Sequence, residues 1–164
     1  TGAAGQIAYS FLPQLCTGLC FPNHEIHLRL LDITAALNVL KGVILELNDA
    51  ATRSQVRTTR PTQITHGDRP EEQFRDADVI VFLGGFPRKP GMERKDLLQI
   101  NKKIFTEQAR ALVHAKKDVK CIVIANPANT NAYILAHYAP QIDPKNITCL
   151  SRLDHNRALA QIAA

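Results

Sequence analysis

The sequence of 164 residues predicts an α/β fold built on a parallel sheet. Short β-branched runs alternate along it with longer amphipathic stretches, as in stacked strand–helix–strand units. Two of the runs, residues 78–83 (DVIVFL) and 119–125 (VKCIVIA), are almost wholly apolar and are closely followed by Gly85 and by Asn126-Pro127. Such runs are typical of strands that are buried on both faces of a parallel sheet.

The remaining elements complete this alternation in chain order. Helices are predicted at 6–15, 35–51, 92–114, 130–137 and from 151 onward, and further strands at 26–32, 63–65 and 146–150. A chain of this length suits one domain, since it can bury roughly 68–70% of its unfolded surface. No strand is predicted before residue 6, and the last helical pattern runs to the final residue. We therefore expect a piece of a longer chain.

Composition excludes several classes of protein. Hydrophobic residues make up 45% of the chain, but no apolar run approaches the ~20 residues that span a bilayer, so no membrane contact is expected. The net charge of +5 is not gathered into a basic arm, and six Phe and three Tyr form no nucleic-acid motif. The four cysteines are too scattered for a disulfide scaffold, and Cys16-x3-Cys20 lacks a second ligand pair for zinc. We expect reduced cysteines and no metal.

The first candidate site is a glycine turn at the start of the first helix. Gly2 and Gly5 belong to a G-x-x-G-x-x-A pattern that ends at Ala8. Glycine lets the backbone approach a pyrophosphate, and the helix start favours its negative charge. Many strand-to-helix turns carry glycine, but Asp32 closes the next strand where a ribose-binding carboxylate is expected. Because a carboxylate repels a 2′-phosphate, the pattern favours NAD over NADP. The alternative for Asp32 is a helix cap.

The second candidate is the basic segment of residues 84–96, which follows a buried strand. Glycine and proline punctuate it, and Arg88, Lys89, Arg94 and Lys95 lie within it. At the carboxyl end of a strand, such a segment is placed to act as a mobile lid, and arginine suits a carboxylate ligand. A plain solvated loop is the alternative.

The third candidate combines the string NPANTN, residues 126–131, with residues 152–157 of the last helix. Asp154 and Arg157 are three apart and share a helix face. One suits a carboxylate partner of a catalytic histidine and the other an anion clamp, while a surface ion pair is the alternative. None of the six histidines is convincing as the proton-transfer group.

Together these motifs resemble a known family. The strings TGAAGQIAYS, FPRKPGMERKDLL, NPANTN and SRLDHNRALAQIA are similar to those of the lactate/malate dehydrogenase family, and specifically of its malate dehydrogenase branch that includes cytosolic animal and many bacterial enzymes. The resemblance runs over the whole chain. It implies a Rossmann-type doubly wound sheet of strand order 3-2-1-4-5-6 that here lacks its first strand and the C-terminal catalytic domain. Residues 1–150 are then the NAD-binding domain, and 151–164 begin the helix that leads into the missing domain.

The resemblance also implies roles for individual residues. Asp32 binds the adenosine ribose, and the other cofactor-binding residues are Gly2, Ala3, Ala4, Gly5, Gln6, Ile7, Ala8, Asn101, Gln108, Ile124, Ala125 and Asn126. The Asn126-Pro127 peptide bond is expected to be cis.

The substrate residues follow from the same resemblance. Arg88 holds the distal carboxylate of malate or oxaloacetate, and Arg157 the near one. Arg94 polarises the reacting oxygen, Asn126 contacts the substrate, and Asp154 orients a catalytic histidine that lies in the missing domain. The chain alone is therefore expected to be inactive.

The activity implied is NAD-dependent oxidoreduction between (S)-malate and oxaloacetate, a reaction of the tricarboxylic acid cycle, in a homodimer. A cytoplasmic location is expected, and organellar targeting stays open because a leader would precede Thr1. A noncatalytic dinucleotide-binding or interaction module is the alternative function. A surface recruited to nucleic acid is a third reading, which we do not favour.

Overall fold

The computed structural model describes residues 1–17, 20–22, 24–53 and 61–163. The chain forms two compact units, Thr1–Arg75 and Asp76–Ala164. Each unit carries its own parallel sheet with helices against it, as the sequence predicts.

The N-terminal unit contains a two-stranded parallel sheet. Its described elements are α1 (Gln6–Cys16), β1 (Ile26–Leu31), α2 (Leu37–Arg53), β2 (Pro61–Gly67) and the short α3 (Pro70–Gln73). Strand β1 pairs with β2 in parallel, with Leu28 opposite Ile64. Because parallel neighbours need a crossover, α2 provides the connection between them.

The apolar stripes of α1 and α2 build the core of this unit. Ala8, Leu12 and Leu15 are buried at helical spacing on α1, and Leu40, Val43 and Leu47 at the same kind of spacing on α2. Helix α2 contacts both α1 and β2, and Leu30 and Leu31 at the end of β1 are buried as well. This packing fixes the carboxyl end of β1 beside the turn that precedes α1, since Ala3 donates its N–H to the oxygen of Leu31 at 3.2 Å.

The C-terminal unit contains a three-stranded parallel sheet of order β3-β4-β5. Its described elements are β3 (Val79–Phe82), α4 (Arg94–Ala111), β4 (Lys120–Val123), α5 (Ala128–Tyr138), β5 (Ile147–Cys149) and α6 (Arg152–Ala163). Val81 lies opposite Ile122, and Val123 opposite Cys149. The register brings the carboxyl ends of all three strands to one edge of the sheet.

Aromatic and aliphatic side chains fill the core of the second unit. Phe82 of β3 and Phe105 of α4 are fully buried, with ring centroids 5.9 Å apart. Leu112, Val123 and Leu135 are also fully buried, and α4 contacts α5. By contrast, every described residue of α6 is exposed, including Leu159 and Ile162.

The α/β prediction is confirmed element by element. All five predicted strands form and all are parallel, and β1 beside β2 and β3-β4-β5 are the neighbours that the implied order requires of strands 2 to 6. Two predicted helices open or close on a 3-10 turn, at Thr34–Ala36 and Leu112–His114. The sequence analysis missed α3, because four residues carry no periodic signal.

The four cysteines are free. Burial raises the pKa of Cys121 to about 12 and raises that of the half-buried Cys16, whereas Cys20 is exposed. Within the described residues, no helix is both long and apolar enough to cross a membrane.

Candidate cofactor and substrate site

The glycine turn brings the backbone of residues 2–5 into a tight bend before α1. Gly2 adopts a positive φ of 65°, and the N–H of Gly5 donates to its oxygen at 3.0 Å. A Cβ on Gly5 would lie only 3.2 Å from the Gly2 oxygen, so a larger residue would push the turn open. Ala3 and Ala8 are buried, which turns the start of α1 against the unit's core. The exposed Gln6 and Ile7 follow at the N-terminus of the helix.

Asp32 is joined directly to this turn. The half-buried residue follows β1, and its Oδ2 accepts the N–H of Ala4 at 2.8 Å, while Oδ1 accepts that of Ile33 at 2.8 Å. Ile33, not Asp32, is the N-cap of the 3-10 turn that follows, and no side-chain cap bond is made there. The helix-cap alternative therefore does not describe this carboxylate. The structure brings Asp32 and the glycine turn together, as a dinucleotide site requires.

The loop of residues 83–93, here called the β3–α4 loop, carries Arg88 near its middle. Arg88 is exposed, and its Nε donates to the oxygen of Met92 at 3.3 Å. Gly91 has a positive φ of 79°, which lets the loop turn back toward α4. Lys89 lies over the ring of Phe86, with Nζ 5.2 Å from the centroid. Arg94 is the first residue of α4 and is also exposed.

Asn101 is one of two fully buried polar side chains among the described residues. From α4 it reaches the root of the β3–α4 loop. Its Oδ1 accepts the N–H of Phe86 at 2.9 Å, and its Nδ2 donates to the oxygens of Leu97 at 3.1 Å and Phe86 at 3.5 Å. The buried amide is thus hydrogen bonded on both its oxygen and its nitrogen.

The end of β4 presents Ile124, Ala125 and Asn126. The N–H groups of Ile124 and Ala125 both donate to the oxygen of Phe82, at 2.9 and 3.0 Å. Ala125 is buried, Ile124 is half-buried and Asn126 is exposed. The peptide bond between Asn126 and Pro127 is cis, as the resemblance implies.

Among the described residues, three side chains carry a buried oxygen without a hydrogen-bond partner, those of Gln73, Gln108 and Asn131. Gln108 of α4 holds Oε1 away from solvent with no hydrogen-bond partner among the described residues. Asn131 of α5 is fully buried, and its Nδ2 donates to the oxygen of Ala125 at 2.9 Å while Oδ1 is unpaired in the same sense. The sequence analysis gave Asn131 no role, because nothing in the string NPANTN tells which asparagine points inward.

Asp154 and Arg157 lie one turn apart on α6 and contact each other. Arg157 Nη1 donates to Asp154 Oδ1 at 3.3 Å, and the side chains are 73% and 79% exposed. This is the surface ion pair that the sequence analysis kept as the alternative. Because such exposed pairs contribute little, both groups are available for exchange with a ligand.

A parallel α/β fold with a glycine turn before a helix and a carboxylate at the end of the next strand defines a dinucleotide-binding domain of the Rossmann type. The chain belongs to the lactate/malate dehydrogenase family, since its residues 1–148 match the family model described as the lactate/malate dehydrogenase NAD-binding domain.

The similar proteins span both activities of this family. The cytoplasmic malate dehydrogenases of Gallus gallus and Taenia solium are 50% and 49% identical over 99% and 100% of the chain. The malate dehydrogenase structure from Naegleria fowleri is 44% identical, with a TM-score of 0.91 over 99% of the chain and 48% of its own. A lactate dehydrogenase of Trichomonas vaginalis in complex with NADH and oxamate is 36% identical, with a TM-score of 0.88 over 99% of this chain and 47% of its own. The chain spans about half the length of these relatives, 48% of each of the two curated ones.

Proposed function

We propose that the full-length protein is an NAD-dependent malate dehydrogenase that interconverts (S)-malate and oxaloacetate. The observation that carries the choice of substrate is Arg88, an exposed guanidinium in the β3–α4 loop. A forked, permanently charged donor matches a carboxylate. A second carboxylate on the substrate is what distinguishes malate from lactate, so a residue of this kind favours the dicarboxylate.

The residues of the N-terminal unit fit the adenosine and pyrophosphate end of NAD. A Cβ at Gly5 would lie 3.2 Å from the Gly2 oxygen, which is a tight contact, so glycine suits this turn. The start of α1 offers backbone N–H groups and a positive dipole end. Each oxygen of Asp32 accepts one backbone N–H group. Because a carboxylate has about four acceptor sites, others stay available for the ribose hydroxyls. Gly2, Ala3, Ala4, Gly5, Gln6, Ile7, Ala8 and Asp32 are the residues that we assign to this end.

In the C-terminal unit, the proposed contacts to the nicotinamide end come from Ile124, Ala125 and Asn126, with Gln108 as a further cofactor residue. The unpaired Oε1 of Gln108 supports this assignment, because a buried acceptor is costly until it finds a donor. The family resemblance also implies a cofactor contact for Asn101, but that amide is fully buried and bonded to the backbone of Phe86 and Leu97. When bound, NAD would supply the hydride acceptor for oxidation of malate at its carbinol carbon, and NADH would supply the hydride donor for reduction of oxaloacetate.

The substrate roles divide among three arginines and an asparagine. Arg88 pairs with the distal carboxylate and Arg157 with the near one, while Asn126 donates a hydrogen bond to the substrate. Arg94 stabilises negative charge on the reacting oxygen, a contribution that strengthens when the loop excludes water. Arg157 must leave Asp154 in part to do this, and the exposure of that pair makes the exchange inexpensive.

Asp154 is the proposed partner of the histidine that takes the hydroxyl proton. A carboxylate that accepts the second ring N–H of a histidine fixes its tautomer and stabilises the imidazolium that forms. The histidine itself is assigned to the family's second domain. We accordingly propose that residues 1–150 form the cofactor-binding domain and that 151–164 begin the helix leading to the next, which agrees with the exposure of α6. Of these, Ala164 lies outside the described residues.

We further propose that the protein is a cytoplasmic homodimer serving the tricarboxylic acid cycle. The compartment is proposed from the similar proteins, which are named cytoplasmic malate dehydrogenases. For the homodimer, exposed apolar side chains on α1 and α2, among them Tyr9, Val39 and Leu45, offer a surface that a second copy can cover.

Replacing Arg88 by glutamine tests the substrate assignment. We expect kcat/KM for oxaloacetate to fall about 100-fold, the cost of leaving a carboxylate without its charged partner. The dissociation constant of NADH, measured by fluorescence, should change less than about 2-fold because Arg88 has no proposed contact with the cofactor.

Lys89→Gln is the matched control, since it removes an equally exposed neighbouring charge from the same loop. It should leave kcat/KM within about 3-fold, the order expected for a screened exposed charge. Equal losses in oxaloacetate turnover and NADH affinity for Arg88→Gln would reject the proposed role.

A further inference from the structure

The root of the β3–α4 loop is held from the side by one buried amide. Asn101 meets both backbone groups of Phe86: the N–H at 2.9 Å through Oδ1 and the oxygen at 3.5 Å through Nδ2. Pairing with both groups of one residue imitates the bonding that a neighbouring strand would supply. The chain therefore stays restrained after β3 has ended at Phe82.

The hydrogen bond to the oxygen of Leu97 uses the remaining N–H group of the Asn101 amide. Nδ2 has two N–H groups, and the oxygens of Phe86 and Leu97 accept them. A fully buried amide with all these groups satisfied is stable where it is, whereas turning it toward a ligand would break bonds inside the protein. The geometry accordingly assigns the side chain of Asn101 to the loop in preference to the direct cofactor contact that the family resemblance implies.

Gly85 is the residue that makes this approach possible. A Cβ at Gly85 would lie 2.9 Å from Asn101 Oδ1 and 3.3 Å from the Cβ of Ala125. Glycine is required at position 85 because a larger side chain would clash with these atoms, and not because the backbone adopts a positive φ. The loop root is thus fitted between α4 and the residue that follows Ile124 at the end of β4.

Beyond this root the loop is exposed, at Pro87 to Gly91 without interruption. Arg88 stands two residues after Phe86, so the position of the Phe86 peptide sets where the guanidinium starts from. A side chain that fixes one end of a loop while its tip stays in solvent acts as the anchor of a hinge.

We propose that Asn101 is a positioning residue, which acts through the Phe86 backbone to aim the β3–α4 loop and with it Arg88. The predicted effect on turnover of the substrate rests on the proposed function. The anchoring of the loop by Asn101 does not depend on that function. A positioning role predicts that Asn101 affects turnover of the dicarboxylate more than it affects binding of the cofactor.

Asn101→Ala in the full-length protein gives the first test. We expect kcat/KM for oxaloacetate to fall on the order of 10-fold to 100-fold, because misplacing a binding group by about 1 Å has effects of this size. The NADH dissociation constant should stay within about 2-fold. A loss of NADH affinity as large as the loss of kcat/KM would overturn the proposal in favour of a direct cofactor contact, and unchanged kinetics would overturn it as well.

Limited trypsin digestion tests the anchoring without any assay of activity. The loop contains a cleavage site after Arg88, and release of its root should raise the rate of cleavage there by about 10-fold, since cleavage follows the population of the opened loop. Asn131→Ala is the matched control, because it also removes a buried amide that donates to a backbone oxygen. In this case the oxygen belongs to Ala125, which lies outside the β3–α4 loop. Equal acceleration in both variants would show general loosening and reject the anchor.

Gly85→Ala provides a second variant, which retains the asparagine at position 101, and so covers the case in which Asn101→Ala does not fold. It should displace Asn101 Oδ1 and produce the same split between turnover and NADH affinity. In the double variant, Gly85→Ala should add little to Asn101→Ala, because the contact that it disrupts is already gone. Additive losses would contradict the proposal. If trypsin shows the anchor but the parent protein does not reduce oxaloacetate, the proposed function fails and the anchor stands.

Discussion

Asp32 shows how one residue can organise a binding turn before any ligand arrives. Its two oxygens accept backbone N–H groups from Ala4 and Ile33, one on the glycine turn and one on the segment that follows β1. The carboxylate therefore fixes the spacing between its own position and the turn. In the proposed site the same negative charge disfavours a 2′-phosphate on the ribose, so the geometry of the turn and the proposed cofactor preference depend on one group.

Replacing Asp32 by asparagine should relax that choice. The variant keeps one oxygen that accepts a backbone N–H, but it removes the charge, and its NH2 group can accept neither the second backbone N–H nor a ribose hydroxyl. We expect the ratio of kcat/KM with NADH to that with NADPH to fall by about 10-fold to 100-fold, the range for charged hydrogen bonds.

Asp68→Asn is the control for this variant. Asp68 follows the end of β2 as Asp32 follows β1, but its Oδ2 accepts from the hydroxyl of Thr34 at 2.7 Å and it makes no proposed contact with the cofactor. The NADH to NADPH ratio should stay unchanged in this variant. A fall as large as that for Asp32→Asn would mean that general charge, and not the ribose contact, sets the preference.

Cysteine reactivity is a second prediction at the scale of single residues. With a pKa of about 12, Cys121 is present as thiolate in only about one molecule in ten thousand at pH 8, and its side chain is fully buried. Cys20 is exposed. In the native protein a thiol reagent should label Cys20 quickly and Cys121 only after urea unfolding, as peptide mapping would show. Labelling of both at similar rates would contradict the packing described for β4.

At the scale of elements, period and composition were enough to find the strands and the long helices. The runs VIVF and KCIV are rich in β-branched and other apolar residues, and they pair with each other as parallel strands. The ends were less predictable: the helix expected over 92–114 begins at Arg94 and closes on a 3-10 turn. Helix ends depend on local hydrogen bonds that a hydrophobic period does not encode.

Phe105 connects α4 to the sheet and should be a main contributor to the stability of the second unit. Phe105→Ala removes a fully buried ring that packs 5.9 Å from that of Phe82, and we expect it to lower the free energy of unfolding by about 3–5 kcal/mol. Urea denaturation of the full-length protein measures this as a lower midpoint.

The exposed Val113 beside the end of α4 offers a control, because Val113→Ala should change the free energy of unfolding by less than about 0.5 kcal/mol. If Phe105→Ala had an effect as small as this, the packing of α4 on β3 would not be a source of stability.

The site was less accessible to sequence reasoning than the fold, and the reason lies in side-chain direction. Charged residues such as Arg88 and Asp32 stand out in the sequence because charge in a loop or at a strand end calls for an explanation. Asn131 does not stand out, and Asn101 is indicated only by the family resemblance, since an asparagine on a helix is usually exposed. Only the packing shows that these two are buried and bonded to the backbone at Phe86 and Ala125.

At the scale of the whole molecule, the residues proposed to bind the cofactor and the substrate are distributed over both units. The N-terminal unit holds the glycine turn and Asp32, and the C-terminal unit holds the arginines and the residues after β4. The fold alone does not choose the substrate, because structures of both malate and lactate dehydrogenases superimpose on the chain with TM-scores of 0.91 and 0.88. Substrate choice is therefore assigned to side chains, above all to Arg88.

The most direct measurement of this claim compares two oxo acids with the unmodified full-length protein and NADH. Oxaloacetate carries the second carboxylate that Arg88 would bind, and pyruvate does not. We predict that kcat/KM for oxaloacetate exceeds that for pyruvate by at least about 1,000-fold, since a site built for a charged group rejects substrates that leave it unpaired. Equal or greater activity with pyruvate would contradict the account, as would NADH binding without reduction of either acid.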